Sequence, residues 1–267
     1  MPVIACALLS SGVSGQSLKP SMKEQVKLGQ RASKEIRSKE RVLPDGDPRV
    51  ILLRQVAQKL IATLPEKERT EKPWIYSFDV IQNKEINAFA LPGGPVYFYT
   101  GLLEKLTTVD QLAGILGHEL THVRSEHWAR DYARSLEQNA LITIGGMLLG
   151  VNGTLMQGAS LFETFGLALP RSRRAETEAD RIGFEMMVQA GYNPVGMVEV
   201  FKMLHATGPK KAPPEFMSTH PDELKRIKVL EEMVAKNKAS YPPSTPMPAI
   251  ASAPYRSLKI RGFMLGN

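Results

Sequence analysis

The stretch GHELTHVRSEH (Gly117–His127) holds three of the chain's five histidines, with a glutamate between the first two. In an α-helix, at about 100° per residue, His118 and His122 sit one turn apart and about 40° around the axis, so both imidazoles face one way. Glu119 is turned about 100° from His118 and about 60° from His122, beside that face rather than on it. Two imidazoles then converge on one ion, and the carboxylate reaches a water beside it; this is what the H-E-x-x-H spacing is for. His127 stands nine residues after His118. In an unbroken helix that is more than two turns away, too far to share the ion, and it reads as a packing or surface histidine.

Two histidines do not make a zinc site. A catalytic zinc takes three protein ligands and keeps one position open. Outside the motif only His205 and His220 remain. The acids of RRAETEAD (Arg173–Asp180) are better placed, since Glu176 and Asp180 are four apart and share a helical face, with Glu178 turned away. Glu176 would complete a two-histidine, one-carboxylate set. Asp180 would accept the free imidazole N–H of a ligating histidine and fix its tautomer. The plain alternative is a solvated acidic first turn favoured by the helix dipole.

Around these motifs the chain reads as mostly helical. Residues 21–41 form a charged helix, DGDP (Asp45–Pro48) a turn, and Leu53, Val56, Leu60 and Leu64 the buried stripe of a second helix. Trp74–Val80, Glu85–Ala90 and Pro95–Thr100 read as strands, the last two joined by LPGG (Leu91–Gly94). This gives a small antiparallel sheet ahead of the motif helix. Pro95, Val96, Tyr97 and Phe98 form either an edge strand to which an extended substrate adds or an ordinary core strand. Thr108 and Gln111 form a capping box for the motif helix, which is expected to run to about Leu136. The apolar, glycine-rich residues 141–169 read as two short helices, buried in the core, covering a cleft or touching a membrane. Further helices follow over 172–190, Val195–Ala206 and Asp222–Ala235. The domain reading is an N-terminal leader or tether over 1–20, one domain over 21–239, and a proline-rich tail over 240–267.

With 267 residues, 43% hydrophobic and 23% charged, the composition is that of a globular chain. The net charge of +7 comes largely from cations interleaved with Glu24, Glu35 and Glu40 near the N-terminus, the pattern of a solvated helix face. No zinc finger or aromatic-basic platform accompanies them, so nucleic acid is not expected as a partner. The single cysteine, Cys6, excludes an intrachain disulfide. VIAC (Val3–Cys6) fits the small-residue pattern before a lipidated cysteine, although the five residues ahead of it are short for a secretory signal. Export to a bacterial periplasm, or anchoring that faces it, is the expectation.

GHELTHV followed by SRRAETEAD resembles the CAAX prenyl protease/HtpX family of zinc metallopeptidases, gluzincins whose third ligand is the Glu of an E-x-x-A-D motif. Within it the chain is similar to the soluble Oma-type branch that includes bacterial BepA and LoiP. NAFALPGGPVYFYTGLL (Asn87–Leu103) resembles that branch's strand-turn-strand, and STHPDELKRI (Ser218–Ile227) its S-T-H-P segment. The resemblance implies an α+β, mostly helical zincin-like domain that binds one zinc ion. It implies His118, His122 and Glu176 as ligands, Glu119 as general base and Asp180 as the supporting acid. His220 would approach the zinc, plugging its open position or stabilising the oxyanion; alternatively the segment is a helix N-cap built on Thr219 or Asp222. Only about thirty residues follow the last helix, too few for the helical repeats of BepA-like proteins. The expected activity is hydrolysis of unfolded or damaged polypeptides in envelope quality control, with membrane association through Cys6 or 141–169. The competing function is a zinc-containing chaperone or assembly factor, which would have no use for Glu119. A basic nucleic-acid or membrane-surface binder is a third.

Overall fold

The computed structural model describes residues 19–135, 137, 171–207, 215–220, 223–236 and 240–249. Cys6 and the apolar segment 141–169 lie outside the described residues, and so do Pro221 and Asp222.

Helix α1 (Met22–Lys39) starts at a Ser21–Glu24 capping box and buries Gln25, Gly29, Ala32 and Ile36, one residue per turn. Helix α2 (Pro48–Ala62) starts at Asp47, whose side chain accepts from the Arg49 N–H, and buries the expected stripe of Leu53, Val56 and Leu60. A short α3 (Glu66–Glu71) precedes the sheet. Strands β1 (Ser77–Ile81), β2 (Ala88–Ala90) and β3 (Pro95–Tyr99) follow in the order β1-β3-β2. Side chains alternate between two covered faces. Val96 and Phe98 enter the main core with Leu53, Leu112 and Leu116, whereas Tyr97 and Tyr99 pack with Ala32, Ile36 and Trp128. The sheet is therefore sandwiched, with α1 on one face and α2 and the motif helix on the other.

Two expectations change here. The sheet is mixed: β2 and β3 are antiparallel, with Ala88 opposite Phe98, but β1 and β3 are parallel, with Ser77 opposite Pro95. And β3 is the central strand. Its hydrogen-bonding edges are taken by β1 and β2, so Pro95, Val96, Tyr97 and Phe98 offer no free edge to a substrate. The outer side of β1 is also covered, by Leu43 N–H donating to Val80 O and Gln82 N–H donating to Arg41 O. The outer edge of β2 pairs with no strand among the described residues.

After α4 (Thr100–Leu103) comes the motif helix α5 (Val109–Arg124), buried on every side from Val109 to Val123. Thr108 Oγ1 accepts from Gln111 N–H, and the Gln111 side chain accepts from Thr107 N–H. The helix does not run on to Leu136. It stops at Ser125, Glu126 takes a φ of 53°, and a new helix, α6 (127–135), starts at His127. Helices α7 (Arg173–Gln189), α8 (Val195–Thr207), α9 (Glu215–Thr219) and α10 (Glu223–Ala235) complete the helical layer, with α7 and α8 packed on α5. The first residues of the proline-rich segment do not trail off. Val109 N–H donates to Thr245 O, Met247 N–H to Thr107 O, and Thr245 N–H to Asp110 Oδ2. They form a strap across the start of α5.

Helices α5 and α7 touch backbone to backbone. A Cβ on Gly183 would lie 2.9 Å from the Gly117 carbonyl carbon and from His118 N, and one on Gly117 would lie 3.1 Å from Gly183 O. No side chain fits there, so Gly183→Ala must push the helices apart. It is expected to cost about 1–3 kcal/mol, seen as a melting temperature several degrees lower. Gly46→Ala, at a turn with open space around it, should leave the melting temperature unchanged.

Candidate metal centre

The α5–α7 contact brings two motifs into one buried cluster. His118 and His122 come from α5, Glu176 from the first turn of α7, and His220 from the residue after α9; all four are at most 3% exposed. His122 Nε2 is 2.9 Å from His118 Nε2, and Glu176 lies 3.5 Å from the first ring and 3.4 Å from the second. His220 Nδ1 is 3.2 Å from His118 Nε2 and 3.0 Å from Glu176 Oε1. All four ligand atoms fall within 4.8 Å of one another. At metal–ligand bonds of about 2.0–2.1 Å, the edge of a tetrahedron is about 3.3 Å. The observed separations bracket that value, and three imidazoles with one carboxylate form a donor set suited to zinc.

Glu119 stands apart from this set, as its rotation along the helix requires. It is fully buried, neither carboxylate oxygen has a hydrogen-bond partner among the described residues, and His220 Nε2 lies 3.5 Å from its Oε1. Burial raises its pKa, against the pull of His220, His118 and Arg171. A buried carboxylate with free lone pairs is poised to hold a proton taken from a water at the cluster.

The outer contacts are specific. His118 Nδ1 is 2.9 Å from Asp180 Oδ1. Arg226, on α10, donates through Nε and Nη2 to Asp180, both at 2.7 Å, and pairs through Nη1 with Glu176 Oε2 at 2.7 Å. Burial alone would raise the Glu176 carboxyl, but His220 and Arg226 hold it well below the usual range. Burial opposes a charge on His118, but Asp180 and Glu176 outweigh it and lift that pKa to about 9. Burial and the neighbouring His118 keep His122 well below its ordinary value, hence neutral.

The break after α5 sends His127 back along the cluster. It remains outside the ligand set, but it does more than fill space. Its Nδ1 is 2.8 Å from His122 Nδ1, and its Nε2 is 3.5 Å from Glu178 Oε2. With His122 Nε2 turned to the ligand set, His122 carries its proton on Nδ1 and donates it to the bare Nδ1 of His127. Burial holds the His127 pKa at about 4, so that lone pair stays free.

The structure thus gathers His118, Glu119, His122, Glu176, Asp180 and His220 at one place. The Thr219 hydroxyl donates to Phe216 O, and the other capping candidate, Asp222, lies outside the described residues. Pro95, Val96, Tyr97 and Phe98 are in the sheet and do not reach the cluster. Sequence reasoning missed Arg226, although it stands inside STHPDELKRI. A buried acid pair calls for a cation, and that was the available signal. It also missed the His127 contact, because no glycine or proline marks the break at Ser125–Glu126.

Residues 52–234 match the sequence profile of Peptidase family M48. The chain is 32% identical over 209 residues to the mitochondrial metalloendopeptidase OMA1 of Schizosaccharomyces pombe, covering 77% of this chain and 60% of that protein. It is 30% identical over 212 residues to the mitochondrial metalloendopeptidase OMA1 of Danio rerio, covering 73% of this chain and 43% of that one. It is also 30% identical over 181 residues to the beta-barrel assembly-enhancing protease of Escherichia coli K12, covering 62% of this chain and 37% of that protein. The chain therefore spans between about a third and three fifths of the length of these relatives.

Two measurements follow from the geometry. His127→Leu should weaken metal affinity about 10–100-fold, the usual effect of losing an outer partner. His127→Asn, whose Oδ1 can accept the same proton, should recover most of it; competition with a chelator reads both. Metal entry must displace the proton that His118 holds up to about pH 9. Affinity should therefore rise about tenfold per pH unit from pH 6.5 and level off above 9, with one proton released per ion.

Proposed function

The chain belongs to Peptidase family M48, and we propose that it is a zinc-dependent endopeptidase that hydrolyses unfolded or damaged polypeptides. The observation that carries this reading is Glu119, buried at the His/Glu cluster with both carboxylate oxygens unengaged among the described residues. A site built only to hold the fold together has no need of such a carboxylate, and this tells against a purely structural zinc.

In this reading His118, His122 and Glu176 hold the ion, and Asp180 and His127 fix the tautomers of the two histidines. When bound, zinc supplies Lewis acidity, making water acidic near neutral pH and polarising a carbonyl. Glu119 takes the proton from the attacking water and delivers it to the leaving amine. His220 sits at the fourth corner of the ligand set, so it must turn aside to admit a substrate. Its Nε2, now 3.5 Å from Glu119, can then donate to the tetrahedral oxyanion.

The substrate backbone adds to the outer edge of β2 (Ala88–Ala90) rather than to β3. No strand pairs with that edge among the described residues, whereas residues 41–43 cover the outer side of β1. Recognition by main-chain hydrogen bonds is tolerant of side chains, which suits unfolded chains. A role in envelope quality control is supported by VIAC at Cys6 and by the likeness to a protease of E. coli named for barrel assembly. Any hold on a membrane would come from Cys6 or residues 141–169; no helix among the described residues is long and apolar enough to cross one.

Glu119→Gln should reduce casein hydrolysis by about a hundredfold or more while one equivalent of zinc is retained by elemental analysis. Glu176→Ala should lose the zinc. Wild-type turnover by Glu119→Gln would refute the assigned base.

A further inference from the structure

Three arginines are buried among the described residues, and two have evident counter-charges. Arg49 forks onto Asp47, and Arg226 onto Asp180 and Glu176. Arg171 is the third. It is 7% exposed, and among the described residues its Nη1 has no hydrogen-bond partner and no carboxylate forms an ion pair with it. Only the through-space pull of Glu119 offsets it among the described residues, and a buried guanidinium with no carboxylate in direct contact is costly. Folding alone gives no reason to keep it.

Its position supplies one. The Arg171 N–H donates to Thr219 O, tying it to the residue before His220. Its side chain lines a pocket with the ligand His122, with Ala90 at the end of β2, and with Gly93 of the following turn. The pocket's own acid, Glu126, is already engaged by Gln25 at 2.7 Å and Lys19 at 3.0 Å. The charge of Arg171 is felt at Glu119 and at His122, and an ion in the cluster would add further positive charge. A negative group that arrives with the substrate, passing between the β2 edge and His122, meets an unspent donor there.

We propose that Arg171 receives a carboxylate of the bound chain, from an Asp or Glu side chain or from a C-terminus. This deepens, and rests on, the peptidase reading above.

The test uses zinc-loaded Glu119→Gln protein, which binds without cutting. Peptide pairs differing by Glu for Gln at each position, and by free acid for amide at the C-terminus, are compared by fluorescence anisotropy. One position, or the terminus, should show about a tenfold preference for the acid, and which of them does identifies the source of the carboxylate. Adding Arg171→Met should remove that preference and leave the neutral peptides unchanged. The melting temperature of Arg171→Met should equal or exceed the parent's, because an unpaired buried charge has been removed. A lower melting temperature would make Arg171 a structural residue and overturn the proposal. So would equal binding of acid and neutral peptides, or a preference that survives Arg171→Met.

A probe independent of peptide binding separates the two readings. Millimolar N-acetylaspartate should raise the melting temperature of the parent and not that of Arg171→Met. If no peptide binds but this shift is seen, the peptidase reading fails and the anion site stands. If the shift is absent as well, both fall.

Discussion

The whole centre depends on how close α5 can come to α7. His118 and Glu176 belong to different helices, separated by more than fifty residues of chain, yet their side chains must meet at one ion. Gly117 and Gly183 remove the side chains that would hold those helices apart. The glycines stand next to the ligands in sequence, so the contact is tightest where position matters most. Packing of this kind does not flex by halves, because a methyl group either fits between two backbones or does not.

Charge has then to be balanced in that tight space. Two carboxylates four residues apart on one buried face would repel each other, and Arg226 spans both. Asp180 is thereby held ionised as the acceptor for His118. At its Nδ1, His122 meets a neutral histidine, His127, which takes the part that Asp180 plays for His118. The two ligands from one helix are thus steadied by different chemistry. Glu119 lies between them with no such support, and its freedom is what general-base chemistry requires.

Much of this was legible in the residues alone. H-E-x-x-H spacing fixes a helix face, and Glu176 with Asp180 repeats that face on a second helix, so local periodicity was enough to pick them out. His220 was reachable through its motif. What escaped depends on tertiary arrangement. Alternation in PVYFY is the same for a central strand as for an edge strand, because both faces of this sheet are covered. The turn at Glu126 has a backbone conformation that its residue type does not announce. Arg171 and Arg226 are ordinary surface residues until the helices around them are placed.

The strap formed by Thr245 and Met247 has a consequence for the order of events during synthesis. Thr245 is bound to Asp110 across 135 positions of sequence, and these residues are among the last described. The first turn of the helix bearing both motif histidines is thus fastened by residues that leave the ribosome long after it does, and its seat is complete only once they have joined it.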